Sequence, residues 1–279
     1  MINLGPFSTP TVIVMLALML AWLLARHIAK RHANAPHKEA GALVLDAAFW
    51  GFLSARVAYI ALWWEEYAAR PWSVFAFGDG GFLWWVGLPA ALLYLWRKTR
   101  FSTKLRRPVL TGVAAGVVLW ALANSLLTVL LRTAAPLPDV QVLTLDERPL
   151  SLSAAYAGRP VVLNLWASWC PPCRREMPVF ERAQHAFPGI AFAMVNQGES
   201  AQQAIDFLKS EGLNLTDVLL DPASRTMQAV QSRGLPTTLF FDAEGCLVEA
   251  HFGEITMASL TDKVSRRLAQ APAPNPNKE

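Results

Sequence analysis

The chain has 279 residues, of which 53% are hydrophobic, and it carries 11 tryptophans. A mean hydropathy of +0.29 is too apolar for one soluble domain, and the length fits about two domains. Net charge is +4 with a pI of about 9.1, yet the basic residues flank apolar segments and make no aromatic-bearing basic surface. Nothing in that pattern points to nucleic acid.

From the N-terminus, Thr9 to Ala25 is an apolar run that ends at Arg26. With Phe7 and Ser8 it approaches the roughly 20 residues that cross a bilayer. No Lys or Arg precedes it, so it lacks the basic start of a cleaved signal peptide and reads as a retained span. Further apolar runs cover Ala40–Trp64, Gly81–Trp96 (interrupted by Pro89) and Val109–Leu131. The expectation is a transmembrane domain over residues 1–132, with four spans at about 7–25, 40–64, 81–96 and 109–131.

Charge sets its orientation. Arg26, Lys30, Arg31 and Lys38 follow the first span, and Arg97, Lys98, Arg100, Lys104, Arg106 and Arg107 follow the third. The loop between the second and third carries Arg70 with Glu65, Glu66 and Asp79. The positive-inside rule places both basic loops in the cytoplasm and both termini outside. Asp46 and Arg56 fall inside the second span, where an ionisable group is a functional candidate. Each also lies near enough to a span end to snorkel or pair with a neighbouring helix, and the structural reading is favoured. His27, His32 and His37 share the first cytoplasmic loop at a five-residue spacing that does not put them on one helical face, so no metal site is expected there.

Residues 133–139 read as a Pro-containing linker, 140–270 as a folded domain, and 271–279 as a disordered tail. Val140–Leu152 reads as a strand, a turn at Asp146–Pro149 and a second strand. Then comes VVLNLWASWCPPCRREMP, Val161–Pro178: a β-branched buried strand that breaks at Ala167-Ser168, presents Cys170-Pro171-Pro172-Cys173 and runs on as a helix. One helical turn brings residues i and i+3 to roughly 5 Å at Cα, within disulfide reach. Cys170 at the helix N-terminus meets free N–H groups and the dipole, which favour a thiolate. Glu176, one turn past Cys173, lies on the same side and is placed to exchange protons with the less exposed sulfur. CxxC is also a zinc half-site, but completing it would need Cys246 and a further ligand such as His251, and no second CxxC exists, so no metal is expected. Cys246 otherwise reads as a small core residue, and His185 and His251 as ordinary surface or core residues.

Further on, Ile190–Asn196 reads as a strand, Ala201–Glu211 as a helix, Val218–Leu220 as a strand and Ser224–Gln231 as a helix. Thr237–Asp242 and Cys246–Phe252 read as a hairpin, and Ile255–Ala269 as a closing helix. Leu235-Pro236 leads the first hairpin strand and is a candidate cis bond.

NLWASWCPPCRREMP and GLPTTLFFDAEG resemble the TlpA/ResA-like, membrane-tethered thiol–disulfide oxidoreductases of thioredoxin fold, over about Val140–Ala269. The fold class expected is therefore an α-helical transmembrane domain followed by an α/β thioredoxin-fold domain. The resemblance implies that Cys170 attacks, Cys173 resolves, Glu176 tunes or deprotonates the pair, and Pro236 is cis. Ordinary thioredoxins carry an aspartate where this chain has Asn164, which shifts proton handling to Glu176. Trp169, Pro171, Pro172, Leu235 and Pro236 are the expected substrate-binding residues, and Met177-Pro178 either line the same groove or pack.

Residues 1 to about 100 resemble the front of prolipoprotein diacylglyceryl transferase (INLGPFSTPTVIVMLALML, LDAAFWGFLSARVAYI, GDGGFLWWVGLPAAL). Aligned on Gly80-Gly81, that family's histidine position is Trp85 here and only Gly87 remains of its closing glycines. The later catalytic region has no counterpart, so a degenerate membrane module is expected and not a transferase.

The expected activity is reduction of protein disulfides on the periplasmic side of a bacterial inner membrane, in cytochrome c maturation or disulfide repair. No cofactor is expected beyond the Cys170–Cys173 disulfide. The expected partners are protein disulfides, the lipid bilayer and a separate membrane electron donor of the DsbD/CcdA kind, because the spans hold no cysteine to carry electrons. The alternative is a lipid-binding or diacylglyceryl-transferase-like membrane module with an accessory redox domain.

Overall fold

A computed structural model describes residues 9–31, 37–69, 71–75, 77–132 and 136–268. Two compact units result: one holds most of the long helices, the other the sheet and the helices that follow the apolar segments.

In the helical unit, α1 spans Thr9–Arg31, α2 His37–Leu62, α3 Trp64–Ala69, α4 Trp84–Thr99 and α5 Thr103–Arg132. Among the described residues, three stretches are long and apolar enough to cross a membrane: Thr11–Arg31, Lys38–Leu62 and Lys104–Leu127. The fourth expected span, 81–96, appears as the 16-residue α4, with Gly81–Leu83 outside it. Small residues let these helices approach closely. A Cβ on Gly87 of α4 would meet the Gly51 carbonyl oxygen of α2 at 2.7 Å, and one on Gly112 of α5 would meet the Ala21 oxygen of α1 at 2.6 Å.

Arg56 is buried and donates to the carbonyl oxygens of Gly81 at 3.0 Å and Val74 at 3.0 Å. Its guanidinium also lies over the Tyr67 and Phe82 rings. It therefore fastens the segment that follows α3 to the start of α4, which is a structural task. Asp46 accepts a 3.3 Å hydrogen bond from the Tyr94 hydroxyl of α4. His27 lies within α1 and His37 opens α2, so the loop expected to carry three histidines is shorter than the sequence implied; His32 falls outside the described residues.

The second unit is built on a seven-stranded sheet in the order β2-β1-β5-β4-β3-β6-β7. The strands are β1 Gln141–Thr144, β2 Pro149–Ser151, β3 Val161–Trp166, β4 Ala191–Gln197, β5 Val218–Asp221, β6 Thr237–Phe241 and β7 Leu247–Phe252. β3 is an interior strand, parallel to β4 and antiparallel to β6. All six of its residues are buried, which explains its near-continuous apolar run. Side chains alternate across it. Val162 and Trp166 join the core that holds both motif cysteines, while Val161, Leu163 and Leu165 join the core on the other face.

The helices of this unit are α6 Leu152–Ala155, α7 Pro171–Ala186, α8 Ala201–Ser210, α9 Arg225–Ala229 and α10 Met257–Arg267. α6 is a single turn that sequence periodicity does not reveal; Ser151 caps it, accepting from Ala154 N. α8 opens with a full capping box between Ser200 and Gln203. α9 has five residues, shorter than the Ser224–Gln231 expectation. Within the expected linker, Leu137 is buried and its N–H donates to the Gly245 oxygen at 2.9 Å, so that residue belongs to the folded unit. The expected tail, 271–279, lies outside the described residues.

Candidate functional site

β3 delivers the chain to the turn Ala167–Cys170, and Cys170 caps α7. Pro171 and Pro172 occupy the first helical turn, where a missing N–H costs nothing. The Cys173 N–H donates to the Cys170 sulfur at 3.4 Å. Cys170 and Cys173 form a disulfide, with their Cα atoms 5.3 Å apart. Both cysteines are buried, Cys170 at 3% exposure and Cys173 at 0%, so what little accessibility the pair has belongs to the first residue. That asymmetry separates an attacking sulfur from a resolving one.

Glu176 lies one turn beyond Cys173 and is fully buried. Its Oε1 accepts from Asn164 Nδ2 at 2.8 Å and its Oε2 from the Ile255 N–H at 3.0 Å. Burial pushes its pKa up to about 8, against the pull of those two donors, and the nearby Glu254 charge adds to the rise. A carboxyl poised there can take or give a proton near neutral pH.

The expected substrate-binding residues separate by exposure. Trp169 is 68% exposed beside the disulfide. Pro171 is exposed and Pro172 half-buried. Leu235 is half-buried and packs against the core that includes both cysteines. The Leu235-Pro236 bond is cis and Pro236 is buried, its carbonyl accepting from Gly253 N at 3.0 Å. Met177 is fully buried, which assigns it to packing. Cys246 is a free, half-buried thiol. His251 is buried beside the Glu254 carbonyl, and burial lowers its pKa to about 4. Among the described residues no group of three His, Cys, Asp or Glu could hold a metal ion.

One residue escaped the sequence reading. Glu199, just past β4, is buried and accepts from both the Ser168 N–H and the Ser168 hydroxyl, and from the Asn196 amide. It thereby fastens the turn that carries Trp169 and Cys170. The signal was three polar residues, Asn196, Gln197 and Glu199, at the end of a buried strand, but their use depends on a neighbour 31 residues away.

A family model for redoxin matches residues 132–264, and one for prolipoprotein diacylglyceryl transferase matches residues 2–126. Thiol-disulfide oxidoreductase ResA of Bacillus subtilis is 35% identical over 107 residues, covering 38% of this chain and 59% of that protein. ResA of Geobacillus thermodenitrificans is 31% identical over 121 residues, covering 43% and 68%. Thioredoxin-like protein YneN of Bacillus subtilis is 30% identical over 131 residues, covering 46% and 75%. The likeness to these relatives covers less than half of the chain. The chain belongs to the ResA-like family of thioredoxin-fold thiol–disulfide oxidoreductases, and joins that domain to an N-terminal region similar to prolipoprotein diacylglyceryl transferase.

Proposed function

We propose that the protein is a membrane-anchored reductant of protein disulfides that works on the periplasmic side of a bacterial inner membrane, in cytochrome c maturation or disulfide repair. The observation that carries this reading is the sulfur pair at the head of α7: a disulfide whose first cysteine caps the helix and whose second is fully buried, with a buried acid one turn behind. The Cys170 thiolate attacks a substrate disulfide, forms a mixed disulfide and expels the first substrate thiolate. Cys173 gives its proton to Glu176, attacks the Cys170 sulfur and releases the second substrate thiolate. Two electrons leave the dithiol and the substrate gains two thiols. Trp169, Pro171, Pro172, Leu235 and Pro236 line the docking face, and the segment before Pro236 pairs with the substrate backbone as an added strand.

Charge supports four spans. α4, at 16 residues, reaches roughly 24 Å at 1.5 Å per residue, short of a hydrocarbon core of about 30 Å. If α4 did not cross, the cluster Arg97–Arg107 would face the side opposite to Arg26–Lys38, against the positive-inside rule. With α4 crossing, both clusters are cytoplasmic and the redox unit is outside. The described spans hold no cysteine, so a separate membrane donor of the DsbD/CcdA kind must return electrons to the pair. A membrane-impermeant maleimide applied to cells with a permeable outer envelope, after mild reduction, is expected to label Cys170. Labelling only after the cytoplasmic membrane is lysed would reverse the orientation.

The match of residues 2–126 to a diacylglyceryl transferase favours a second reading for the membrane region alone, as a lipid-binding module. Trp85, 54% exposed at the start of α4, stands where the resemblance places that family's histidine, so no transfer chemistry is proposed.

A further inference from the structure

Asn164 occupies the middle of β3, fully buried, on the face that carries Val162 and Trp166. Register pairs it with Thr238 of β6. Its amide nitrogen donates twice, to Glu176 Oε1 at 2.8 Å and to Thr238 Oγ1 at 3.1 Å. One amide therefore ties the buried acid to the strand that leaves Pro236. Neither proton of that amide is spare, and both bonds fix which way the group points. The backbone N–H of Ile255 holds the other carboxylate oxygen.

We propose that Asn164 is a positioning residue: its amide holds the Glu176 carboxylate beneath the redox helix and stabilises the ionised form, setting the pH at which Glu176 can take the Cys173 proton. The proposal rests on the reading of Glu176 as that proton acceptor. The residue type matters. An apolar side chain at 164 would leave one carboxylate oxygen buried without a donor, which favours the protonated acid. A carboxylate at 164 would sit within hydrogen-bond reach of Glu176, and two such groups cannot both ionise there. An amide is the one isosteric choice that donates and carries no charge.

The charged and titratable groups around Glu176 leave that role to Asn164. On its own helix lie Cys173 and Arg175, the latter paired with Glu254 at 2.7 Å. From the segment after β7, Glu254 raises the Glu176 pKa through its charge. β7 contributes buried His251, and the Glu249–Lys263 pair joins that strand to α10, where Arg266 pairs with Asp262. From β3 the neutral Asn164 reaches Glu176, and from β6 the neutral Thr238 reaches Asn164. Asn164 is the largest of the influences that favour the charged acid, ahead of the Ile255 N–H.

The step to measure is oxidation of the reduced full chain by glutathione disulfide in detergent: two protein thiols become one disulfide, and two glutathione thiols appear. Its rate is expected to rise with pH through a limb that reports ionisation of Glu176. In Asn164→Ala the midpoint of that limb is expected to move up by roughly one pH unit, the loss of one hydrogen bond to a charged group. Asn164→Asp is expected to move it further. Thr238→Val keeps the Glu176 bond but removes the second anchor of the amide, and a smaller shift in the same direction is expected. Unchanged amide hydrogen exchange in β3 and β4 establishes that a variant is folded; should Asn164→Ala not fold, Thr238→Val decides alone. Folded variants whose limbs coincide with the parent's overturn the proposal. Glu176→Gln separates the two levels: it is expected to abolish the limb, and a limb that survives there overturns the reading of Glu176 itself.

Discussion

Replacing Cys170 by serine is expected to abolish reduction of protein disulfides by the full chain, lowering the rate by at least about 1,000-fold. The sulfur that caps α7 belongs to the less buried of the two cysteines, and it receives the Cys173 N–H at the positive end of the helix. A serine hydroxyl is not ionised at neutral pH and cannot exchange with a disulfide. Cys173→Ser is expected to fail differently. The attack by Cys170 still occurs, but no second sulfur displaces the substrate, so a mixed disulfide accumulates and is released by dithiothreitol. Insulin-disulfide reduction and a non-reducing gel distinguish the two variants. Retained turnover in Cys170→Ser would remove the nucleophile from the mechanism.

The second large effect concerns stability against pH. Burial raises the Glu176 pKa from 4.5 to about 8, so between those values the folded protein holds a proton that the unfolded chain has lost. Stability from the neutral acid is full below about pH 4.5 and is lost as pH rises towards 8. His251 works in the opposite direction over a lower window. Burial first, then the Lys263 charge, lowers its pKa from 6.5 to about 4. There the unfolded chain binds the extra proton, and stability falls as pH falls from 6.5. The two slopes offset each other between 4.5 and 6.5, and from 6.5 to 8 only that of Glu176 remains. Over that upper window the oxidised protein, in which neither motif cysteine titrates, is expected to lose about 2 kcal/mol. Glu176→Gln should be flat across it, and more stable than the parent at pH 8. Hydrogen exchange of β3 and β4 amides, compared between the two proteins at each pH, measures the difference. Parallel curves would mean that Glu176 is ionised throughout.

Much of the site could be read from the chain because it is local. Cys170, Cys173 and Glu176 follow one another at single-turn spacing after one buried strand, so helical period alone puts them on one side. What supports them is distant. Asn164 reads in sequence only as a missing acid; its use as a donor depends on Thr238, 74 residues away, meeting it across β3 and β6. Glu199 reaches Ser168 because the parallel register sets Trp166 beside Asn196. No local pattern encodes either pairing. Boundaries failed for local reasons. The single turn α6 is too short to show a period, and α5 begins at Thr103, well before Val109, because Pro108 is tolerated within its second turn. There the Thr111 hydroxyl bonds back to the Arg107 and Pro108 carbonyls. Hydropathy marks apolar residues, and a helix can start before them.

The most direct test adds one equivalent of a disulfide-bonded peptide to the fully reduced chain in detergent, then maps every cysteine by mass spectrometry. Two peptide thiols should appear for each protein, with Cys170 and Cys173 joined and Cys246 still a free thiol. Peptide thiols appearing while Cys170 or Cys173 stays reduced, or a disulfide made through Cys246, would contradict a reductant whose electrons reside in the pair at the head of α7.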